Sequence, residues 1–235
     1  MKFETWGPIY QLVVRDFEYD PTADRRARDV LDDLSTVFDF DRLDFAGETV
    51  AIAGGSKTLE RELEQVRTAD RVIAVSNAAR VLQHAGISPD LGITDLDKAP
   101  ETHITLSKAG VPIGIHGHGD NIPAVKRYLP RFDQNHVFGT TQVEPTERVV
   151  NFGGFTDGDR AAFLADHFGA DQLTFPGWQF DDATVSMEKN RKLTWAGRLL
   201  RCLERRRHER FPVLDGMREE LEDFPGGESW NCIDE

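Results

Sequence analysis

The chain has 235 residues, with 41 acidic against 28 basic side chains and a formal net charge of −13. This length supports one large domain, or one core with an appendage. The acidic balance argues against a general nucleic-acid binder and against an anionic membrane surface as a partner. An anionic substrate would therefore need local help from a metal ion or from a helix N-terminus.

Two cysteines, Cys202 and Cys232, are too few and too far apart in sequence to indicate a disulfide framework or a cysteine-based zinc site. No apolar stretch of signal-peptide length follows Met1, and no other segment reaches the length of a membrane span. These features predict a cytoplasmic protein without a membrane partner. The sequence leaves the oligomeric state open, a homo-oligomer included.

The first 45 residues predict a small N-terminal lobe, with a short apolar piece at 9–14 and a charged helical pattern at 23–38. From Thr49 onward, short apolar runs end in Gly-, Asp- or His-rich turns and lead into helical patterns. This alternation predicts an α/β core at 46–210 with a mostly parallel sheet and flanking helices. A tail at 211–235 follows, and its Pro- and Gly-rich end is expected to be irregular.

Seven segments of the core are predicted to be strands: 49–53, 71–75, 91–94, 111–115, 135–138, 148–151 and 172–175. The clearest predicted helices of the core are 59–66, 78–84, 159–168 and 187–210. Ligands of open parallel sheets bind beyond the carboxyl ends of the strands, where loops converge and helix N-termini point inward. The polar motifs of this chain fall at those ends.

The first strand leads into Gly54, Gly55 and Ser56. These glycines would let the backbone approach a phosphate at the start of the following helix. The spacing is not that of a Walker A loop. A plain tight turn with a serine cap explains the same residues equally well.

The third strand leads into Asp95 and Asp97. Residues two apart at an extended strand end point the same way, so both carboxylates are able to reach one metal ion. Hard oxygen ligands favour Mg²⁺. A solvated turn or a helix cap is the alternative.

The fourth strand leads into the densest polar cluster of the chain, His116-Gly117-His118-Gly119-Asp120-Asn121. A His-x-His-x-Asp-His run is typical of zinc hydrolases, but Asn121 replaces the final histidine here. The glycines indicate a backbone that comes close to a ligand. Zinc binding and a purely structural turn both stay open as alternatives.

The sixth strand leads into a helix start at Thr156, with Asp157, Asp159 and Arg160 in its first turn. Capping explains part of this pattern, because Thr-x-x-Asp approximates a capping box and acidic residues suit a helix N-terminus. Capping does not require Arg160 or the preceding Gly153-Gly154. A helix start that also meets a metal-bound triphosphate would use them all, with Arg160 on the phosphates.

Two further groups of polar residues follow predicted elements or lie on them. Thr140, Thr141 and Gln142 follow the fifth strand and carry three hydrogen-bonding side chains. Lys192 lies on the long predicted helix near the C-terminus. This lysine is a candidate for a phosphate contact, whereas the basic cluster at the end of the same helix is explained by a solvated helix end.

These blocks, in this order and over nearly the whole chain, resemble the archaeal 6-hydroxymethyl-7,8-dihydropterin pyrophosphokinase family. The core of that family is similar to thiamin pyrophosphokinase. The resemblance implies that a pterin hydroxyl attacks the β-phosphorus of ATP, that AMP leaves, and that Mg²⁺ neutralises the developing charge.

The resemblance also implies roles for individual residues. Asp95, Asp97 and Asp157 are expected as metal ligands, with Asp120 as a weaker fourth acidic residue of the site. The ATP phosphates are expected near the residues Gly54, Gly55, Ser56, Thr140, Thr141, Gln142, Asp159, Arg160 and Lys192. The pterin or the transferred group is expected near His118 and Asn121.

Two positions depart from the family pattern. Asn77 stands where an Ala-Asp-Gly-like turn with a carboxylate is expected, and Lys98 stands where a glycine is expected after Asp97. Either Asn77 keeps the hydrogen-bonding role toward the substrate or the acceptor preference has changed. The missing carboxylate also leaves open a non-catalytic nucleotide-binding protein. Against that alternative, clustered carboxylates repel one another unless a cation needs them.

Overall fold

The computed structural model describes residues 1–182 and 184–222. Within them, one sheet contains strands β1 (Thr49–Ala53), β2 (Arg71–Val75), β3 (Leu91–Thr94), β4 (Ile113–His116), β5 (Val137–Thr140), β6 (Val149–Val150) and β7 (Gln172–Thr174). The strand order is β6-β5-β4-β3-β2-β1-β7. Every pair is parallel, which confirms the predicted α/β class.

The helices of the described chain are α1 (Phe3–Phe17), α2 (Pro21–Leu34), α3 (Leu63–Thr68), α4 (Ala78–His84), α5 (Pro100–Lys108), α6 (Ile122–Tyr128), α7 (Asp157–His167) and α8 (Met187–Arg207). No helix among the described residues is long and apolar enough to span a membrane. The predicted irregular end of the tail, with Cys232, lies outside the described residues.

The sheet separates two hydrophobic clusters, as the alternation of side chains along a strand requires. In β2, Ile73 and Val75 belong to the cluster that contains side chains of α1, α7 and α8. Val72 and Ala74 belong to the other cluster, with side chains of α2 to α6. The result is a sheet covered by helices on both faces, which accounts for its continuous apolar strands.

The N-terminal residues contribute directly to this core. The apolar piece at 9–14 is part of the buried face of α1, whose Trp6 is fully buried. Trp6 Nε1 donates a hydrogen bond of 2.8 Å to the Gln142 carbonyl, just beyond β5. Helix α2 begins at Pro21, where the Asp20 side chain accepts from Thr22 N at 2.8 Å. The division of the chain into a lobe, a core and a tail stays a prediction.

Several element boundaries differ from the sequence prediction for local reasons. The predicted helix at 59–66 is a 3₁₀ turn at Lys57–Arg61 followed by α3. Helix α8 ends at Arg207 rather than at residue 210, because His208 has the left-handed φ of 52° that closes the helix. Helices α5 and α6 were not among the clear helical patterns, since both are short and carry proline in their first turn.

Candidate active site

A cleft of about 740 Å³ lies beyond the carboxyl ends of the central strands. Residues that follow β1, β2, β3 and β4 line it, together with the start of α7 and one side of α8. The predicted site residues on its wall are Gly54, Gly55, Ser56, Asn77, Asp95, Asp97, His118, Asp120, Gln142, Asp157 and Lys192. The fold therefore brings together residues from seven separate segments of the sequence.

The other predicted site residues lie beneath the wall instead. They are buried and do not line the cleft: Asn121, Thr140, Thr141, Asp159 and Arg160. Their side chains bond to the protein, as described below. Direct contact of these five with phosphate or pterin stays a prediction.

Three carboxylates meet at the turn after β3. Leu96 occupies this turn with a left-handed φ of 68°, an uncommon conformation for a residue with a branched side chain. The turn is held by hydrogen bonds from Leu96 N to Thr94 Oγ1 at 2.9 Å and from Asp97 N to Asp95 Oδ1 at 3.0 Å. Asp157 reaches it from the start of α7, where its Oδ2 accepts from Asp95 N at 3.3 Å.

The proximity of these carboxylates disturbs their protonation. Burial and the charge of Asp95 raise the pKa of Asp157 well above its ordinary value. Partial burial and the same neighbour raise the pKa of Asp97 to about 6. Burial also opposes ionisation of Asp95, but hydrogen bonds from His118 and Asp97 outweigh it and hold the pKa of Asp95 below its usual range. A cation bound among the three would relieve this repulsion.

The donor set suits magnesium better than zinc. Within residues 1–182 and 184–222, no three His, Cys, Asp or Glu side chains are arranged to hold a metal ion by themselves. Mg²⁺ is commonly held by one or two carboxylates, with water and substrate phosphate oxygens as the other ligands, so Asp95 with Asp97 or Asp157 fits it. A zinc centre needs at least three protein ligands.

The histidine motif also fails as a zinc site, because its first imidazole is already engaged on both nitrogens. His116 Nε2 lies 3.1 Å from an Arg160 Nη and its Nδ1 lies 3.2 Å from Thr140 Oγ1. A guanidinium only donates, so Nε2 accepts and Nδ1 carries the proton. Burial and the Arg160 charge lower the pKa of His116 well below its ordinary value. The zinc-hydrolase alternative therefore lacks its ligands in the described structure.

The glycines of this motif pack against α2, and Gly119 also lines the cleft, so a close approach of this backbone to a ligand stays a prediction. A Cβ on Gly119 would lie 2.6 Å from Ala23 Cβ of α2, too close for any real pair. Gly119 N donates to Asp24 Oδ1 at 2.9 Å. Helix α2 thus fixes the turn that carries His118, whose Nε2 lies 3.8 Å from Asp95 Oδ2.

Asn121 is buried and stabilises the same turn through three hydrogen bonds. Its Nδ2 donates to the carbonyls of Asp95 at 2.8 Å and His116 at 2.7 Å, and its Oδ1 accepts from His118 N at 2.9 Å. The bond to Asp95 joins the end of β3 to the loop after β4, and the bonds with His116 and His118 hold that loop itself. Asn121 consequently positions His118 and Asp95, and its amide is used within the protein.

The start of α7 combines a cleft residue with a buried cap. Asp159 is fully buried, and its Oδ1 accepts from Phe155 N at 2.9 Å and Thr156 N at 2.7 Å, which completes the capping box. Arg160 donates to the Thr141 carbonyl at 3.3 Å, and burial lowers its pKa to about 10. The neighbouring Gly154 has a φ of 95°, and a Cβ there would lie 2.4 Å from Arg160 Cα. This glycine therefore makes room for the helix, whereas the sequence had indicated room for a triphosphate.

Three lysines line the cleft near the carboxylates. Lys98 Nζ lies 3.7 Å from Asp97 Oδ2, and Lys192 Nζ lies 3.0 Å from Glu188 Oε1. Partial burial in the cleft and the charge of Lys98 lower the pKa of Lys189. Lysines and carboxylates therefore lie side by side on this wall, and together they offer donors for an anion and ligands for a cation.

Another part of the cleft wall is built around Trp178. Its Nε1 donates to the Ile52 carbonyl at 2.8 Å, and its ring packs against Gly158 at the start of α7. Gly54 N donates to the Pro176 carbonyl at 2.8 Å, while Ser56 Oγ accepts from Thr58 N at 3.3 Å as a cap. Asn77 borders this part of the wall just before α4.

Sequence reasoning missed several residues of the wall, chiefly Asp24, Lys189 and Trp178. For Asp24 a signal was present. Asp24, Ala27 and Leu31 share one face of α2, and an acidic residue on an otherwise buried face is a candidate for a special role. Nothing local marks Lys189 or Trp178, whose positions depend on how the segment after β7 folds over the sheet.

Comparison with known proteins gives consistent matches. The model of the MptE-like family, described as 6-hydroxymethylpterin diphosphokinase MptE-like, matches residues 27–184. Three curated proteins named 6-hydroxymethyl-7,8-dihydropterin pyrophosphokinase are similar to this chain. The protein of Methanothermobacter thermautotrophicus is 32% identical over 225 residues, which cover 87% of this chain and 96% of the relative.

The other two relatives give the same result. The protein of Pyrococcus furiosus is 34% identical over 223 residues, covering 87% of this chain and 95% of its own length. That of Methanocaldococcus jannaschii is 30% identical over 196 residues, covering 77% of this chain and 80% of its own length.

Proposed function

The chain belongs to the MptE-like family of 6-hydroxymethylpterin diphosphokinases, and we propose that it transfers a pyrophosphoryl group from ATP to 6-hydroxymethyl-7,8-dihydropterin. In this reaction the hydroxymethyl oxygen bonds to the β-phosphorus and its proton is released. The bond from the β-phosphorus to the oxygen that bridges to the α-phosphorus breaks, and AMP leaves.

One observation supports this chemistry most directly. Carboxylates and lysines line the same cleft, with Asp95, Asp97 and Asp157 close to Lys98 and Lys189. A net charge of −13 would repel free ATP, so binding requires local positive charge. The lysines supply it for the triphosphate, and the carboxylates supply the donors for its metal ion.

Mg²⁺ is the cofactor proposed for this site. Asp95 with Asp97 or Asp157 would hold it, and when bound it would neutralise charge that develops on the phosphates. The protein itself contributes rigid placement, because Asn121 and the turn at Leu96 fix the Asp95 backbone on both sides. Placement of this kind is a large part of catalysis in phosphoryl transfer.

The departures from the family pattern fit this proposal. Asn77 lines the cleft near Gly55, so an amide occupies the place of the expected carboxylate. Lys98 adds a positive charge 3.7 Å from Asp97. Both changes make this part of the cleft less negative, which favours a polyphosphate. A cytoplasmic location and a homo-oligomeric state stay predictions.

The decisive experiment is a nucleotide assay with purified protein, ATP, Mg²⁺ and 6-hydroxymethyl-7,8-dihydropterin. We expect AMP and the pterin diphosphate in equal amounts. Formation of ADP would indicate transfer of a single phosphoryl group. Nucleotide binding without turnover, for this pterin, would favour the non-catalytic alternative.

A further inference from the structure

A buried carboxylate of α2 occupies the cleft wall away from the three carboxylates already described. Asp24 is 6% exposed and lines the cleft. Its Oδ2 accepts from Tyr10 Oη and from Gln142 Nε2, both at 2.6 Å, and its Oδ1 accepts from Gly119 N at 2.9 Å. A carboxylate has about four acceptor positions, so Oδ1 retains capacity for a further donor.

Gln142 provides a second acceptor beside it. Because Nε2 donates to the Asp24 carboxylate, the amide orientation is fixed, and Oε1 is the atom left for another partner. Gln142 is 4% exposed and lines the same part of the cleft. Asp24 Oδ1, which already accepts from Gly119 N, and Gln142 Oε1 thus offer two oxygens with acceptor capacity for the donors of a ligand.

Contacts within the protein fix the surroundings of both acceptors. Burial and the Asp24 carboxylate raise the pKa of Tyr10, so its phenol keeps the proton that it donates. Gly119 N is fixed because the turn at Gly119 packs directly on α2 at Ala23. Phe155 and Tyr19 line the cleft nearby with ring centroids 6.5 Å apart, which adds aromatic surface for a flat ligand.

We propose that Asp24 and Gln142 recognise the aminopyrimidinone edge of the pterin and so determine which acceptor substrate the cleft takes. This inference rests on the proposed function. The edge carries a 2-amino group beside a ring N–H, so it brings N–H donors to a part of the wall that offers carboxylate and amide oxygens. Adenine offers one donor beside an acceptor, and its ring nitrogen would repel one of the two oxygens.

The assignment also orders the two substrates along the cleft. Gly119, which donates to Asp24, directly follows His118, whose Nε2 faces Asp95. A pterin with its amino edge on Asp24 therefore points its other end toward the carboxylates, where the hydroxymethyl group reacts. The part of the wall formed by Trp178, Ser56 and Asn77 is left for the nucleotide.

The test compares two acceptor substrates in wild-type enzyme and in Asp24→Asn. The second substrate is 6-hydroxymethyl-7,8-dihydrolumazine, in which a carbonyl replaces the 2-amino group. We expect wild type to prefer the pterin in kcat/KM by about a hundredfold or more, because the lumazine oxygen would face acceptors. In Asp24→Asn that preference should fall at least about tenfold, since the new amide is able to donate to the carbonyl, while the KM for ATP stays unchanged.

Matched variants separate recognition from packing. Tyr10→Phe removes a donor behind Asp24 and should leave the preference between the two substrates unchanged, even if it lowers the melting temperature. Gln142→Met removes the second acceptor and should reduce the preference in the same direction as Asp24→Asn. An unchanged preference in folded Asp24→Asn and Gln142→Met would overturn the proposal. Equal decreases of kcat/KM for both substrates would also overturn the proposal, because they would mean that Asp24 only stabilises the packing of α2.

A binding measurement keeps this test independent of catalysis. Calorimetric titration of wild type and Asp24→Asn with each pteridine alone, without nucleotide, should show the same change of preference in Kd. If wild type forms no AMP, the proposed reaction fails but the titration still tests recognition. If wild type binds both pteridines equally, the assignment of Asp24 fails even where AMP forms.

Discussion

Asp157 and Asp159 begin the same helix two residues apart, yet they meet opposite surroundings. Asp157 borders the cleft and faces Asp95, whereas Asp159 is sealed beneath it and accepts from two backbone N–H groups. Residues two apart on a helix are rotated by about 200°, so one faces outward when the other faces the protein. Two aspartates of one motif therefore have different positions. Asp157 lines the cleft wall, and Asp159 supports that wall from beneath.

The same division holds for the rest of the site. Asp95, His118 and Gln142 belong to the wall, whereas Asn121, Arg160 and His103 belong to the supporting layer. Wall residues should affect turnover more than stability, and supporting residues should affect stability more than turnover. The following experiments test that difference, from the largest expected effect to the smallest.

Removal of divalent metal should abolish activity. Because hard carboxylate oxygens favour Mg²⁺, we expect EDTA to stop AMP formation, added Mg²⁺ to restore it, and a zinc-selective chelator to have no effect. Metal analysis of an active preparation checks the same point. Tightly bound zinc in stoichiometric amount would contradict the assignment of Mg²⁺ and would favour zinc binding at the histidine motif.

Asp157→Asn and Asp95→Asn should each lower kcat at least about a hundredfold, the scale seen when charge at the transition state loses its stabilisation. The melting temperature of Asp157→Asn should stay near that of wild type or rise, because burial and the charge of Asp95 disfavour this carboxylate. That of Asp95→Asn should stay near wild type or fall slightly, because hydrogen bonds stabilise the ionised Asp95 in the folded protein. Steady-state kinetics and thermal unfolding of the same preparations measure both quantities. A rate close to wild type in either variant would remove that residue from the reacting centre.

Asp159→Ala should reverse this pattern. It leaves the N–H groups of Phe155 and Thr156 without their acceptor, so the free energy of unfolding should fall by about 2 kcal/mol. Turnover of the folded fraction should fall by less than about tenfold. Asp159→Asn is the matched control, because its Oδ1 is still able to accept both bonds. Urea unfolding measures the stability of each variant, and steady-state kinetics measure its turnover. A large kcat loss in Asp159→Asn would support the direct phosphate role that the sequence predicts.

His103 should give the smallest effect, visible only as a dependence on pH. It is fully buried below the cleft, with Nε2 3.0 Å from the Ser76 carbonyl, and burial lowers the pKa of His103 to about 4. The unfolded chain therefore binds more protons than the folded one between pH values of about 6.5 and 4, and stability falls as the pH drops through this window.

His103→Gln keeps a donor for Ser76 but does not titrate. Between pH 7 and pH 5.5, wild type should lose about 1 kcal/mol more stability than this variant. Urea unfolding at the two pH values measures the difference. Parallel losses in both proteins would show that His103 makes no contribution to the acid sensitivity.

The sequence by itself determined the framework of this protein. Apolar runs of strand length followed by helical patterns predicted an α/β core with a parallel sheet, and every predicted strand overlaps one in the structure. These features are local, since a buried strand must be apolar on both faces. Polar residues directly after such strands, among them Asp95 and Asp97, were placed at the correct edge because parallel strands end together.

Only the tertiary structure decided which side of each motif faces the cleft. The rotation of α7 sets Asp157 outward and Asp159 inward, and Arg160 together with Thr140 engages His116 while His118 stays on the wall. Asp24 joins the site through a bond to Gly119, 95 positions further along the chain. No local pattern encodes such contacts, because they arise when helices pack on the sheet at separations far longer than any motif.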